Sequence, residues 1–466
     1  MHERQSDSPS LVAWAEGPDR PCLSVAPMMK WTTHHFRQLA RMLTQRALLY
    51  TEMYPVDLIL DAHQHSSSRL HRLLSFDTSQ RPLAVQLGGR DPNRMAQAAR
   101  LCAAFGYDEI NINVGCPSYS VSTLGGYGAC LMSDAPLVQA LAAAVRRAVP
   151  ATIAVTIKHR LGVELSIGDV AVKHALGVDL GMTDAAWESL CEFIRVVSSP
   201  PASVRHFVCH ARKAILGQST AANREIPPLQ HALVFKLKAC FPHLSFELNG
   251  QVQTLAHTER ILRSSVDVDG RRLHGCMLGR AAYHNPWLLA DADRRLFGMP
   301  PPMMSRRDVV QRYCAYTEGV WADSKGALEK EEREMMERDG HSLRSAELQR
   351  RLRLKQSELR EQLYAPLLNL FSGSRYDQAY RRRLQLALER RWDVAKGGPY
   401  ALHAVPDAEV DELPIPAHES YPDAEAQAAA ASQAAAKAAA DAMAAVLIAE
   451  EEAERERPAQ LRRALR

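Results

Sequence analysis

Short apolar runs and period-2 segments recur along the first two thirds of the chain, each followed by a helix-length segment. Eight of them predict β-strands, at residues 22–28, 48–53, 83–89, 109–115, 152–159, 206–212, 243–250 and 275–282. Helices are predicted over residues 33–46, 92–105, 135–148, 184–197 and 229–239. Eight strands alternating with helices over about 260 residues match the number and size expected for a parallel barrel. The predicted fold class is therefore α/β, a (β/α)8 TIM barrel.

Polar residues stand at the C-terminal ends of these predicted strands. They are Glu52, Gln86, Asn113, Lys158, His210, Asn249 and Arg280. In a (β/α)8 barrel the C-terminal strand ends meet at one mouth, which carries the reactive groups. A single polar strand end could be a hydrogen-bonded core group, but so many at one mouth indicate a functional site.

The segment EININVGCPSYSVSTLGGYGAC, residues 109–130, brings a thiol to this mouth. Cys116 directly follows the predicted strand, where a glycine-rich loop begins, and lies close to the polar strand end Asn113. An unperturbed thiol has a pKa of about 8.5, so it is protonated at neutral pH and can act as an acid. Cys130 is the alternative proton donor. We prefer Cys116, because Cys130 is expected to pack where the loop enters the next helix.

Cysteine usage and the N-terminal residues bear on the compartment. The nine cysteines form no CxxC pair and no metal-ligand spacing, which indicates reduced thiols and no structural metal. The first twenty residues are acidic and lack an apolar core, and no run of eighteen apolar residues predicts a membrane span. We expect a cytoplasmic protein with no membrane partner, while an organellar location stays open.

The net charge of +4 is unevenly distributed along the chain. Residues 401–466 carry 6 Lys/Arg against 13 Asp/Glu, whereas residues 341–400 carry 13 Lys/Arg against 6 Asp/Glu. The basic segment could bind a phosphate backbone. It could equally be the solvated face of surface helices.

Composition and periodicity divide the chain into four parts. An N-terminal extension at 1–20 precedes the barrel at 21–300, and a small α-helical domain follows at 301–398. Residues 399–466 are rich in alanine and acid with little apolar surface, so we expect a disordered or transiently helical tail. Two insertions, at 163–183 and at 321–342, have no assigned role.

Eight motifs occur in a fixed order between about Ser24 and Trp287. They are SVAPMM, LLYTEM, LAVQLGG, NVGCPS, YGACLM, HARKA, NREIPPL and MLGRAAY. Together they resemble the signature of the tRNA-dihydrouridine synthases, and most closely the branch that modifies positions 20 and 20a. The resemblance implies reduction of the C5–C6 double bond of a D-loop uridine by FMN, which NADPH reduces. Hydride would reach C6, and Cys116 would supply the proton at C5.

The same resemblance, together with the usual phosphate site of flavin barrels, assigns further residues. The expected FMN-binding residues are Pro27, Met28, Met29, Gln86, Lys158, His210, Asn249, Gly250, Gln251, Gly279 and Arg280. Asn113 and Arg224 are expected to contact tRNA, and the helical domain to grip it. The chain departs from the family pattern at Gln251, where glycine is usual, at Ala221, where lysine is frequent, and at Lys30, where an acid is expected.

The sequence leaves two other functions open. The barrel could reduce a free pyrimidine, although such an enzyme has no use for a basic helical domain. It could also be a tRNA-binding relative that no longer catalyses, as the three departures suggest. We expect a monomer with no bound metal.

Overall fold

A computed structural model describes residues 21–164, 181–264, 266, 270–300, 304–339, 355, 358–359, 361–374 and 377–389. Its strands are β1 Leu23–Val25, β2 Leu48–Pro55, β3 Leu83–Gly88, β4 Glu109–Val114, β5 Ala154–Arg160, β6 Val163–Glu164, β7 His206–His210, β8 Ala214–Ile215, β9 Ser245–Asn249 and β10 Gly275–Leu278. Eight of them close into a parallel barrel in the order β1-β10-β9-β7-β5-β4-β3-β2. The TIM-barrel prediction is confirmed. The short strands β6 and β8 pair with each other outside the barrel.

The last barrel strand is shorter than its apolar pattern predicts. The predicted strand over residues 275–282 ends at Leu278, and a helix begins at Arg280. Gly279 lies between them with φ −106° and ψ −113°, a backbone conformation outside both strand and helix. Arg280 is therefore the first residue of a helix and not the last residue of a strand.

Helices surround the barrel. They span His34–Leu43, Val56–His65, Ser67–Leu74, Pro92–Ala104, Ala135–Ala148, Asp184–Ser198, Ala222–Glu225, His231–Cys240, Leu255–Arg263, Arg280–His284 and Ala292–Phe297. Several begin at a side-chain cap, as where Asp91 accepts hydrogen bonds from the amides of Asn93 and Arg94. Such a cap contributes about 1 kcal/mol, because it satisfies N–H groups that have no partner within the helix.

The barrel has an extensive apolar layer outside its strands and a small one inside. The outer layer packs strand residues such as Ile110, Ile112 and Val114 against the helices. The inner layer consists of Ala26, Leu48, Tyr50, Ala84, Val208 and Met277, with Met28 packed against it. Polar residues occupy other inward positions, so the interior is a lining of hydrogen-bonding groups beneath the mouth.

A helical segment packs against the barrel. It comprises the helix Arg306–Asp339, the turn Ala365–Asn369 and the helix Asp377–Glu389. The Tyr313 hydroxyl donates to the carbonyl of Leu363 at 2.7 Å, and the Arg306 guanidinium stacks over Trp287 at 4.5 Å. The insertion at 321–342 continues the first helix to Asp339.

Other predictions from the sequence concern segments that lie wholly or mostly outside the described residues. The extension at 1–20, most of the insertion at 163–183 and the tail at 399–466 lie outside the described residues. The assignment of residues 301–398 to a separate tRNA-binding domain stays a prediction. Among the described helices, none has the length and hydropathy needed to cross a bilayer.

Candidate active site at the barrel mouth

Strand order places the predicted polar strand ends side by side. Gln86 lies on β3, Asn113 on β4, Lys158 on β5, His210 on β7 and Asn249 on β9. These strands are consecutive neighbours in the barrel. In the parallel register, Asn113 pairs with Lys158, and His210 pairs with Asn249. The structure therefore brings these five residues to one arc of the mouth.

The loop that carries Cys116 is tied down on both sides of this residue. The amides of Gly115 and Cys116 donate to Oδ1 of Asn113 at 3.0 and 2.9 Å. The Cys116 carbonyl accepts from the Ala129 amide at 2.8 Å and from the Ser122 hydroxyl at 2.5 Å. Its half-buried thiol lies 3.4 Å from the Ser118 hydroxyl. Backbone hydrogen bonds thus hold Cys116 at the end of β4.

Gly128 makes the return of this loop possible. Its φ is +78°, and a Cβ added there would lie 2.6 Å from the Cys116 carbonyl oxygen. Any other residue would therefore force the two backbone segments apart. This close approach requires glycine at position 128.

Cys130 sits in a different environment. It lies within a 3-10 turn, Gly128–Ser133, and its Sγ is 3.3 Å from the carbonyl of Tyr127. Burial raises the pKa of its thiol, an effect that the charge of Arg90 partly opposes. Cys130 therefore lies in the turn that leads to the next helix, and it does not directly follow a barrel strand. The catalytic role of Cys116 itself stays a prediction.

Lys158 presents a cation to the mouth. Within the described residues its ammonium makes no hydrogen bond or ion pair. Burial lowers the pKa of Lys158 to about 8, and the charge of Arg160 adds to the effect. Cys116 lies close enough for its charge to act on the same group. A half-buried ammonium without an anion favours a negatively charged ligand at this place.

His210 and the loop after β9 form the opposite side of the arc. Burial and the charge of Arg160 hold the pKa of His210 well below its usual range, so its imidazole is neutral at pH 7. Gly250 has φ +118°, and a Cβ there would lie 3.0 Å from both the His210 ring and Leu229. The Asn249 amide donates to the carbonyl of Met277 at 2.9 Å. This loop is thus fitted closely against His210.

Gln251 adopts a backbone conformation that favours glycine. It is a non-glycine residue in the left-handed region, with φ +51°. Such a conformation costs about 1 kcal/mol or more for a residue with a Cβ. Gly279, on the neighbouring loop, has a different property, because a Cβ there would meet no protein atom within 4 Å. The space beside that glycine is open.

Three arginines gather next to these two loops. Burial and then the charge of Arg280 lower the pKa of both Arg212 and Arg224, and the carboxylate of Glu225 only partly opposes this. The Nε atom of Arg224 is buried without a hydrogen-bond partner. Such a concentration of positive charge is suited to an anion, of which phosphate is the natural example.

Sequence reasoning did not single out Arg160 or Arg212. Arg160 lies two residues after Lys158 and donates to the carbonyls of Gly115, Lys213 and Asn223. Arg212 is part of the HARKA motif and lies two residues after His210. In the sequence, the feature that could have identified both arginines is their position two residues after a polar strand end.

The loop after β1 is fixed from the neighbouring strand. The Met28 amide donates to the Thr32 hydroxyl at 2.9 Å, and the Lys30 amide donates to the Glu52 carboxylate. Glu52 thus shapes this loop. Pro27 and Met28 are half-buried, whereas Met29 is 58% exposed. Lys30 has φ +65°, and nothing in the structure explains a lysine there.

Gln86 and Asn113 already make hydrogen bonds within the protein. Asn113 donates one N–H to Gln86 at 2.8 Å, and its oxygen accepts two backbone amides. Asn113 therefore has one N–H left for a ligand. Gln86 donates to Asn111 at 2.7 Å and retains one N–H and one lone pair. In the described part of the chain, no group of three or more His, Cys, Asp or Glu side chains could hold a metal ion.

Comparison with known proteins identifies relatives. A family model described as dihydrouridine synthase (Dus) matches residues 24–170 and 166–353. A tRNA-dihydrouridine(20/20a) synthase of Synechocystis sp. is 40% identical over 297 residues, which cover 64% of this chain and 78% of that protein. Its counterpart from Pseudomonas syringae pv. tomato is 41% identical over 294 residues, 63% of this chain and 76% of that protein.

Among solved structures, a variant of NCR from Zymomonas mobilis is similar at 13% identity and a TM-score of 0.39, over 62% of this chain and 90% of that one. That likeness is too weak to bear on the site. The family model covers more than half of the chain, and the relatives share about 40% identity over most of their length. The chain belongs to the dihydrouridine synthase family, whose members are flavin-dependent oxidoreductases.

Proposed function

We propose that the protein is an FMN-dependent tRNA-dihydrouridine(20/20a) synthase, which reduces the C5–C6 double bond of a uridine in the tRNA D-loop. One observation carries the proposal. A fixed thiol, Cys116, and an ammonium with no partner in the described residues, Lys158, lie on neighbouring strand ends beside an arginine cluster. The relatives named as tRNA-dihydrouridine(20/20a) synthases support the choice of substrate.

The residues at the mouth fit FMN. Its phosphate would lie at Arg280 and Arg212, where the open space beside Gly279 and the φ of Gly250 leave room for an anion near the backbone. Lys158 would face the edge of the ring that becomes negative on reduction, and Gln86 would offer its remaining N–H and lone pair to the pyrimidine part. FMN, once reduced by NADPH, supplies the hydride that no protein side chain can supply.

The protein's own contribution is placement and a proton. Lys158, with a pKa of about 8, is mostly protonated at pH 7 and provides a partly desolvated positive charge. Cys116 delivers its proton to C5 of the uracil ring, and solvent reprotonates the thiolate afterwards. Asn113 has only a donor left, so it would meet a carbonyl oxygen of the pyrimidine.

The tRNA must present its uridine extruded from the D-loop, which costs a few kcal/mol. Phosphate contacts from Arg224 and from the helical segment at 301–398 would offset that cost. NADPH as reductant and a monomeric state stay predictions that the purified protein can test, and a cytoplasmic location stays a prediction as well.

The direct experiment incubates the purified protein with NADPH and tRNA that lacks dihydrouridine, followed by mapping of positions 20 and 20a. The Cys116→Ala variant should retain FMN and its reduction by NADPH, but lose about 10²- to 10⁴-fold in product formation. The matched variant Cys130→Ala should stay within a few-fold of wild type.

Each outcome separates the alternatives. The reverse ranking of the two cysteine variants would move the acid to Cys130. A flavin-loaded protein that leaves tRNA unmodified but reduces a free pyrimidine would be a different enzyme. A colourless protein that binds tRNA and takes up no FMN would be a relative without catalysis.

A further inference from the structure

A line of buried side chains descends from the Cys116 loop into the barrel. Its upper end is the Asn113 oxygen, which accepts the amides of Gly115 and Cys116. The Asn113 amide then donates to Oε1 of Gln86 at 2.8 Å, and Nε2 of Gln86 donates to Oδ1 of Asn111 at 2.7 Å. Each step crosses between β3 and β4, so the line binds these two strands together below the mouth.

The lower half of the line ends on a carboxylate. The Asn111 amide donates to the Thr156 hydroxyl at 2.8 Å, and that hydroxyl donates to Oε1 of Glu109. The Tyr50 hydroxyl donates to the same oxygen at 2.7 Å. Glu109 and Asn111 are completely buried, and Thr156 is nearly so. The line therefore joins the base of β4 to the catalytic loop through the barrel interior.

Both ends of the line impose the same hydrogen-bond direction. At the top, two backbone N–H groups can only donate, so the Asn113 oxygen must face them. At the bottom, Glu109 receives two hydroxyl donors at one oxygen. The Thr156 hydroxyl needs such an acceptor, because its own oxygen already receives the Asn111 amide. Reversing any amide along the way would oppose donor to donor or acceptor to acceptor.

We propose that Glu109, Asn111 and Thr156 are positioning residues for the reaction. They act through Gln86 and Asn113, whose amides they hold in one orientation, so that Gln86 offers a fixed donor and acceptor and Asn113 a donor only. The Cys116 loop is suspended from the same Asn113 oxygen. The inference rests on the proposed function, because it assigns these orientations to the cofactor and the uracil. Supporting groups of this kind commonly change activity 10- to 100-fold when removed.

A second buried carboxylate provides a matched control. Glu247 is also completely buried and accepts from the Ser24 hydroxyl at 2.6 Å and from His206 at 2.8 Å. These bonds connect β1, β7 and β9, none of which carries the Cys116 loop. Loss of the Ser24 hydroxyl therefore removes a donor from a buried carboxylate, as loss of the Thr156 hydroxyl does, without touching the line to Cys116.

The experiment compares Thr156→Val, Thr156→Ser and Ser24→Ala as FMN-loaded full-length proteins. Thr156→Val should lower kcat for dihydrouridine formation about 10- to 100-fold with little change in KM for tRNA. Thr156→Ser, which restores the hydroxyl, should recover kcat to within about threefold, and Ser24→Ala should keep it. If Thr156 had only a general structural role, its loss would impair kcat and tRNA binding together, and KM for tRNA would rise as kcat falls.

A second readout needs neither tRNA nor NADPH. Iodoacetamide should alkylate Cys116 several-fold faster in Thr156→Val than in wild type or in Ser24→Ala, as followed by peptide mass mapping. If Thr156→Val does not fold, Thr156→Cys replaces it, because a thiol of similar size is a weaker donor and should give an intermediate kcat.

Wild-type kcat in both Thr156→Val and Thr156→Cys, or an equal loss in Ser24→Ala, would overturn the inference. A wild-type protein that forms no dihydrouridine would instead overturn the proposed function. In that case the alkylation rates still decide the inference, since equal rates in all variants would refute it.

Discussion

Replacing Lys158 with methionine should stabilise the flavin-free protein while it impairs the flavin site. The ammonium is half-buried and makes no hydrogen bond or ion pair with the described residues. Its partial desolvation therefore lowers the free energy of unfolding of the flavin-free protein. Methionine keeps the length and the apolar stem of lysine and removes that charge. The expected gain in stability is opposite in sign to that of most substitutions at buried positions.

The magnitude follows from the pKa of Lys158, which burial lowers from 10.5 to about 8. That difference corresponds to about 3 kcal/mol at neutral pH. It is an upper limit, because the ammonium reaches water at the open mouth. We expect Lys158→Met to raise the free energy of unfolding by about 1 to 3 kcal/mol at pH 7, which corresponds to about 2 to 6 °C in Tm.

The effect has a defined pH dependence. Between pH 8 and 10.5 the unfolded wild-type chain binds more protons at Lys158 than the folded chain does, because its pKa is higher. Wild-type stability therefore rises with pH across this window. The advantage of Lys158→Met should be complete below pH 8 and should vanish as the pH approaches 10.5.

Thermal denaturation of the flavin-free proteins at pH 7 and at pH 10 measures this directly. Lys213→Met is the control, since the Lys213 ammonium pairs with Glu164 at 2.8 Å and that carboxylate is 43% exposed. Because the Lys213 side chain is only 7% exposed and its charge is paired, its loss should lower the free energy of unfolding, opposite in sign to Lys158→Met. Excess FMN should reverse the ranking of Lys158→Met and wild type, because ligand binding stabilises only the protein that binds it well. A lower Tm for flavin-free Lys158→Met at pH 7 would refute the reasoning.

Three further substitutions test other parts of the site. Gln251→Gly should relieve left-handed strain and tighten FMN binding by up to about fivefold, measured by fluorescence titration. Arg224→Ala should raise KM for tRNA several-fold and reduce the salt dependence of tRNA binding by about one phosphate contact. Gly128→Ala should lower the free energy of unfolding by about 1 to 3 kcal/mol and also lower kcat, because the added Cβ would contact the Cys116 carbonyl oxygen.

Each has a control within the same chain. Ser203→Gly relieves a φ of +51° outside the site, so it should leave FMN affinity unchanged. Arg100→Ala removes an exposed arginine from the outer helix Pro92–Ala104, and an effect equal to that of Arg224→Ala would count against a specific phosphate contact. Gly106→Ala shares the positive φ but meets no atom within 4 Å, so equal kcat losses at Gly106 and Gly128 would argue against the steric explanation.

The sequence alone determined the architecture and the polar residues of the mouth. The alternation of Ile110, Ile112 and Val114 with asparagines is a local pattern, and its period of two identifies a strand whatever surrounds it. Eight predicted strands that alternate with helices indicate a (β/α)8 barrel. In that fold the C-terminal ends of all strands lie at the same mouth. Cys116 and Lys158 could be chosen on that basis.

The tertiary structure decided how those residues are held and what each has left to offer. Thr156, Glu109 and Gln86 come from three strands, and their hydrogen bonds depend on interstrand register, which no local pattern encodes. The end of β10 at Leu278, the φ of Gln251 and the grouping of Arg212, Arg224 and Arg280 likewise follow from backbone closure and from contacts between distant segments. Periodicity reports which face of an element is buried, whereas charge and hydrogen-bond direction are set by neighbours that only the folded barrel brings within reach.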